Sequence, residues 1–256
     1  MNEENLIKHY NKHNEDKRLK TRHAQIEYIT GLTYIKKYLK KGSSILDVGA
    51  ATGAYSIPLF NDGYDVTAFE LVKHNLKEIE IKEPNIKCVQ GNAIDLSKFD
   101  DNSFDGILLF GPMYHLISYE EKLQALKEAK RVVKPNGLIF ISYCMNEYAV
   151  ITHAFKERQI LNIKDELDDN FKVLNKPTDL YTYVRLEDIN KLMNDTNLER
   201  VNILSQDGPA EYLKKEINSM NDEELDMLIK YHLSTCERPE LLGAGRHILD
   251  ILKKVD

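Results

Sequence analysis

Residues 45–59 read ILDVGAATGAYSIPL. An apolar-rich run meets a cluster of small side chains, Gly49, Ala50, Ala51, Thr52 and Gly53, and apolar residues then return at helical spacing. That pattern describes a strand, a tight turn and the start of a helix. Small side chains in the turn let a ligand lie against the backbone, and Gly49 suits the sharpest part of it. The helix N-terminus behind the turn presents unpaired N–H groups with partial positive charge.

The segments on either side extend the pattern. HAQIEYITGLTYIKKYL (23–39) has helical spacing and stops at KKGS. After the strand SILDVGA (44–50), TGAYSIPLFND (52–62) reads as a helix, with Pro58 near its start. DVTAFEL is then a strand, KHNLKEIEIKE a helix, IKCVQGN and FDGILLFG strands, YEEKLQALKEAKRVV a long helix and GLIFISY a strand. Such alternation predicts an α/β, doubly wound, mostly parallel sheet with helices on both faces. Residues 145–185 break the rhythm. They are polar and Asn/Asp-rich, with helical patches at YAVITHAFKERQI and IKDELDDNF, and are expected to form an inserted lid or lobe. RLEDINKLMNDTN then predicts a helix, LERVNILSQ a strand, DEELDMLIKYHLSTCER a helix and RHILDILKK a seventh strand. Periodicity alone does not orient that last strand.

The whole chain, 1–256, therefore reads as a single domain with an N-terminal helical segment (1–41) and the insertion. A composition of 42% hydrophobic and 30% charged residues suits a globular protein with a sizeable core. No apolar run approaches the ~18 residues of a membrane span, and the first 20 residues do not read as a signal peptide. Cys88, Cys144 and Cys236 are far apart, make no CxxC pair and read as reduced thiols of a cytoplasmic protein. The net charge of −6 argues against nucleic acid as a partner. It is uneven: residues 1–41 carry ten Lys/Arg against five Asp/Glu, and that +5 leaves −11 for the remainder. There is no GxSxG, Walker loop or HExxH, and eight scattered histidines show no ligand spacing, so no metal is implied.

In an open α/β sheet, ligands bind outside the carboxyl ends of the strands. Glu70 stands there, 21 residues past Gly49, where a carboxylate can accept both hydroxyl hydrogens of a ribose. Turn and carboxylate together point to a nucleoside. A dinucleotide fingerprint would need glycines where Ala51 and Ala54 stand. Asp47, at the strand end, would oppose a pyrophosphate but suits a neighbouring cation.

At this point the residues resemble a family. ILDVGAATGAYSIPL is similar to motif I of the class I S-adenosylmethionine (SAM)-dependent methyltransferases of small-molecule type, VTAFE to their acidic second strand, VQGNAIDL to the adenine-contacting loop, and FDGILLFGPMYHL to motif IV. The resemblance covers about residues 20–145. It implies a seven-stranded sheet whose last strand runs antiparallel between the fifth and sixth, and SAM as cofactor. It places Asp47 near the methionine amino end, Gly49 and Gly53 along it, and Glu70 on the ribose. Asn92 meets the adenine edge, Ala93 offers a backbone contact, and Leu71 covers one adenine face. Ala51, where glycine is usual, and Gly111 complete the cofactor-binding set. Asn92 stands where aspartate is frequent.

GPMYHL (111–116) follows the fourth strand and so lies at the methyl end. Gly111 cannot hold a substrate amino group as the amide or carboxylate of adenine and glutamine methyltransferases does. Tyr114 is expected to wall the acceptor pocket, and His115 is the nearby group whose pKa suits a base near pH 7. Either His115 is that base or it is a packed histidine. Arg246, His247, Ser205, Gln206 and Asp207 are expected at the same edge, with Tyr143, Tyr10, His13 and Arg22 as further candidates. The expected reaction is methyl transfer to oxygen or nitrogen of a small molecule. The alternatives are an RNA or protein methyltransferase docking through residues 1–41, and a non-catalytic SAM-binding protein.

Overall fold

In the computed structural model, which describes residues 3–10 and 18–255, a seven-stranded sheet has the order β3-β2-β1-β4-β5-β7-β6. Its strands are β1 (Ser44–Val48), β2 (Asp65–Glu70), β3 (Lys87–Gln90), β4 (Phe104–Leu109), β5 (Val133–Cys144), β6 (Leu198–Ser205) and β7 (His247–Lys254). The first five pair in parallel, and β7 lies antiparallel between β5 and β6, as the resemblance implied. Strand order reverses between β1 and β4, and a cavity opens at their carboxyl ends.

The central strands are buried on both faces, which is why they read as nearly continuous apolar runs. In β1, Ile45 packs on one side with Tyr34, Ile35 and Leu59, while Leu46 and Val48 pack on the other with Ala125, Leu126 and Ile189. Helices α1 (Glu3–Tyr10), α2 (Arg22–Tyr38), α3 (Ser56–Asn61), α4 (Lys73–Lys82) and α5 (Tyr119–Val132) precede the insertion. Ser118 and Glu121 form a reciprocal capping box that fixes where α5 begins, just beyond the turn at 111–116.

Two stretches depart from the sequence expectation. The helix expected over 52–62 starts only at Ser56, because residues 51–55 are held in a turn: Gly49 has φ +79°, Ala51 φ +46° and Gly53 φ +90°. In the insertion, α6 (Asn146–Ala149) runs on as a π-helical turn (Val150–Lys156), followed by the short α7 (Ile160–Ile163). The helix expected from IKDELDDNF does not form beyond the 3₁₀ turn Lys164–Glu166, where a single bridge joins Leu167 to Val173. Asp168 explains this: its side chain accepts from the N–H groups of Asn170 and Lys172, the local turn with which Asp competes against helix. Helices α8 (Leu186–Thr196), α9 (Lys214–Ser219), which the sequence reading missed, and α10 (Asp222–Thr235) complete the chain.

Candidate active site

The cavity holds about 940 Å³ of empty space, part of it open to solvent. Of the residues singled out from the sequence, Asp47, Gly49, Ala51, Glu70, Leu71, Asn92, Ala93, Gly111, Tyr114 and His115 all line it. Gly53 does not. A Cβ there would lie 2.9 Å from Ile57 and 3.1 Å from Ile79, so this glycine lets α3 pack down on α4.

The turn is stitched to β2. The N–H groups of Gly49 and Ala50 both donate to the Phe69 carbonyl, and the Glu70 carboxylate accepts from Ala51 N–H (2.9 Å) and Val72 N–H (2.8 Å). Asn75 adds a side-chain hydrogen bond to Glu70. Burial raises the Glu70 pKa against the pull of these donors. A carboxylate offers about four lone-pair sites, so capacity remains for a ligand hydroxyl. Ala51 sits in the left-handed region, which explains why glycine is usual at that position.

Asp47 is 3% exposed and accepts a hydrogen bond from the Ser56 hydroxyl (2.6 Å). Burial pushes its pKa up to about 6, and no cation among the described residues lies against it. Gly49 and Gly111 face each other: a Cβ on Gly49 would lie 2.8 Å from Pro112, and beside Gly111 the nearest atom is the Gly49 carbonyl oxygen at 3.5 Å. At the opposite end, the Asn92 amide donates to Glu3 of α1 (2.5 Å).

The far end is built by residues that sequence reasoning missed. Arg18 grips Glu27 with two hydrogen bonds (2.8 and 3.1 Å), and both line the cavity beside Tyr55 and Phe110. Burial alone would raise the Glu27 pKa; Arg18 and His247 outweigh it and hold the carboxyl well below the usual range. The signal was present: Glu27 lies on the same face of α2 as Ala24, Gly31 and Ile35, a charge on a buried stripe. Tyr55 was in the opening stretch itself.

His115 is held at both ring nitrogens. Its Nδ1 lies 2.8 Å from the Leu180 carbonyl, which can only accept, so Nδ1 carries the proton and Nε2 accepts from the Tyr10 hydroxyl (2.7 Å). With both ring nitrogens engaged, His115 would act as a base only by exchanging the Tyr10 hydroxyl for the acceptor. Tyr143 departs from expectation: it is 1% exposed, inside the core, and contributes nothing to the cavity. The insertion supplies no lining residue. It reaches the site only from behind, where Leu180 holds His115 and Tyr181 packs on Tyr114 and His115, while α1 supplies Leu6 and Tyr10 to the lining. His13 lies outside the described residues, and Arg22 pairs with Asp222 at the surface.

The fold brings His247 and Asp207 together, with Nδ1 2.8 Å from the carboxylate and 3.5 Å from Glu27. Tyr114 packs on the same ring at 5.9 Å between centroids. Ser205 Oγ instead accepts from Gly208 N–H, Gln206 accepts from Ser142, and Arg246 pairs with Glu211. Glu27, Asp207 and His247 each offer a ligand atom, all within 4.8 Å of one another. Burial opposes the imidazolium, but the carboxylates, Glu27 first, carry its pKa up to about 10. With Nδ1 facing both carboxylates, the trio forms an ion-pair network.

A profile of the family described as "Methyltransferase domain" matches residues 46–141, the segment that carries the strand tips around this cavity. Residues 46–141 thus match the methyltransferase family, and the sheet is that of the class I, Rossmann-like methyltransferase fold. Among curated relatives, a demethylmenaquinone methyltransferase of Renibacterium salmoninarum is 36% identical over 101 residues, 40% of this chain and 41% of that protein. One of Staphylococcus aureus is 30% identical over 159 residues, 59% of this chain and 63% of that protein. The chain thus matches less than two thirds of either relative's length. A SAM-dependent methyltransferase of Methanosarcina mazei shares the fold, with TM-score 0.60 and 17% identity over 87% of this chain and 97% of that one. That neighbour is named as SAM-dependent, and the residues present in this cavity suit SAM. Glu70 has lone pairs to spare for a ribose, and Asp47 is a buried carboxylate beside open backbone.

Proposed function

We propose that this methyltransferase moves the methyl group of SAM to an oxygen or nitrogen atom of a small, ring-bearing molecule. The charge of the cavity carries the reading. Its lining holds Asp47, Glu70 and Glu27 against Arg18, and because Arg18 is paired with Glu27, two carboxylates remain for a cationic nucleoside. A pyrophosphate would be repelled by the same pair.

The bound cofactor supplies an electrophilic methyl group on a positively charged sulfur. In this reading Glu70 takes the ribose hydroxyls, Asp47 faces the methionine amino end, and Gly49, Ala51 and Gly111 let the ligand approach the backbone. Leu71 covers an adenine face. Asn92 and the backbone at Ala93 take the adenine edge once Asn92 exchanges Glu3 for it. Tyr10, Phe110 and Tyr114 then wall the acceptor, so this chain contributes alignment and exclusion of water. Tyr114 is the residue of the expected pair that meets the acceptor. His115 acts through Tyr10, and the insertion shapes this end from behind the two rings.

Both curated relatives are named for demethylmenaquinone, itself a small molecule with a ring. RNA docking through residues 1–41 has less support, because four of the ten cations there, Arg18, Arg22, Lys36 and Lys37, are each paired with a carboxylate. Three unbridged cysteines support a cytoplasmic location, and no helix among the described residues is long and apolar enough to cross a membrane. The test is transfer of label from methyl-tritiated SAM in cell extract. The expected result is label in an organic-extractable small molecule. Label in a nuclease- or protease-sensitive precipitate would overturn the acceptor class, and no transfer would overturn the enzyme.

A further inference from the structure

Tyr55 is a cavity-lining residue, 8% exposed, whose hydroxyl has no hydrogen-bond partner among the described residues. Buried hydroxyls are nearly always paired, and one that is not weakens the fold. A second concession is made at the same spot. Gly31 lies within α2, where glycine is a poor helix former, and a Cβ there would stand 2.7 Å from the Tyr55 hydroxyl oxygen. The ring is fixed by the edge of Phe110 at 4.7 Å and by Tyr28 at 5.4 Å. The hydroxyl lies in the field of Glu27, Arg18 and Tyr114, all of which line the same end of the cavity. Burial keeps it protonated, so it is a donor.

With the ribose at Glu70 and the amino group at Asp47, the remaining charged group of the cofactor is its carboxylate. Asp47 and Glu27 would repel that group, so it needs donors. Both arms of the Arg18 fork are already on Glu27, whereas the Tyr55 proton is uncommitted. We propose that the Tyr55 hydroxyl binds the methionine carboxylate of the cofactor, and that Gly31 is small in order to leave the hydroxyl room. This rests on the methyltransferase reading above.

The experiment is calorimetric titration of the full chain and of Tyr55→Phe with two ligands, alongside melting of the ligand-free proteins. S-adenosylhomocysteine carries the carboxylate, and 5′-methylthioadenosine lacks the whole aminobutyrate. Loss of a hydrogen bond to a charged group predicts roughly tenfold weaker binding of S-adenosylhomocysteine by Tyr55→Phe. Methylthioadenosine affinity should stay within about twofold, and the ligand-free variant should melt no lower than the parent. Unchanged affinity for S-adenosylhomocysteine, or equal loss for both ligands, would overturn the assignment. If the parent protein bound neither ligand, the cofactor reading itself would fall, a result distinct from failure at Tyr55.

Discussion

Glu70→Gln removes a charge while preserving the shape of the side chain, and the structure sets what should follow. The carboxylate accepts from Ala51 N–H at 2.9 Å and Val72 N–H at 2.8 Å, each through a different oxygen. A glutamine amide keeps one acceptor oxygen and turns an NH₂ toward the other N–H, leaving a buried donor unpaired at about 1–3 kcal/mol. Part of that is returned, because burial already raises the Glu70 pKa and so penalises its charge. A net loss of about 1–2 kcal/mol corresponds to a melting temperature lower by roughly 2–8 °C in a domain of this size. Cofactor binding should suffer separately: a hydroxyl bonded to a charged acceptor is worth about 1.5–3 kcal/mol, or roughly 10–150-fold in Kd. Calorimetry with S-adenosylhomocysteine measures the second effect and thermal melts the first. A variant that melts lower yet binds within twofold of the parent would show that Glu70 only ties the turn to β2, and the ribose assignment would be refuted.

Asp47→Asn should act in opposite directions on stability and binding. The folded pKa of Asp47 is pushed up to about 6 from 3.8, so the native state holds this proton more tightly than the unfolded chain. The stabilisation from that proton is complete below about pH 4 and is lost as pH rises to about 6, leaving the ionised group costing about 3 kcal/mol above that. Asparagine should therefore raise the melting temperature at pH 8 while weakening SAM. In the parent, SAM affinity should fall below pH 6 as the proton competes with the cation, and a flat pH profile would refute the contact. Ala51→Gly relieves a left-handed alanine and should raise stability by up to about 1 kcal/mol after the unfolded-state entropy of glycine is subtracted; a lower melting temperature would refute the strain. Arg200→Met strips both hydrogen bonds from Asp250, which is fully buried. Arg200 is partly exposed, so the loss should be near the lower end of about 3–5 kcal/mol, read by urea unfolding. Adding Asp250→Asn should recover much of it.

The strand–turn–helix unit, Glu70 and the alternation that builds the sheet were legible because each is written in contiguous residues whose spacing matches one element. The far end of the cavity was not, because its parts meet only in space. Glu27, Asp207 and His247 come from three distant segments, and no spacing along the chain shows that an imidazolium will bridge them. His115 was only half legible for a related reason. Its position after β4 was correct, but its chemistry is set by Tyr10, 105 residues away, and by the Leu180 carbonyl, 65 residues away.

The same contrast says why the two carboxylates at the strand tips are the firmer ground for function. The pairs Arg18–Glu27 and His247–Asp207 hold opposite charges against each other, so each satisfies itself and demands no ligand. Among the described residues, Asp47 has only neutral donors, the hydroxyl and the backbone N–H of Ser56. Replacing its charge with a neutral group of the same shape should make the empty protein more stable, so its persistence at the strand end points to a cation that arrives from outside. The ionised form is held where it is least comfortable, at the strand-order reversal and against backbone left open by Gly49 and Gly111.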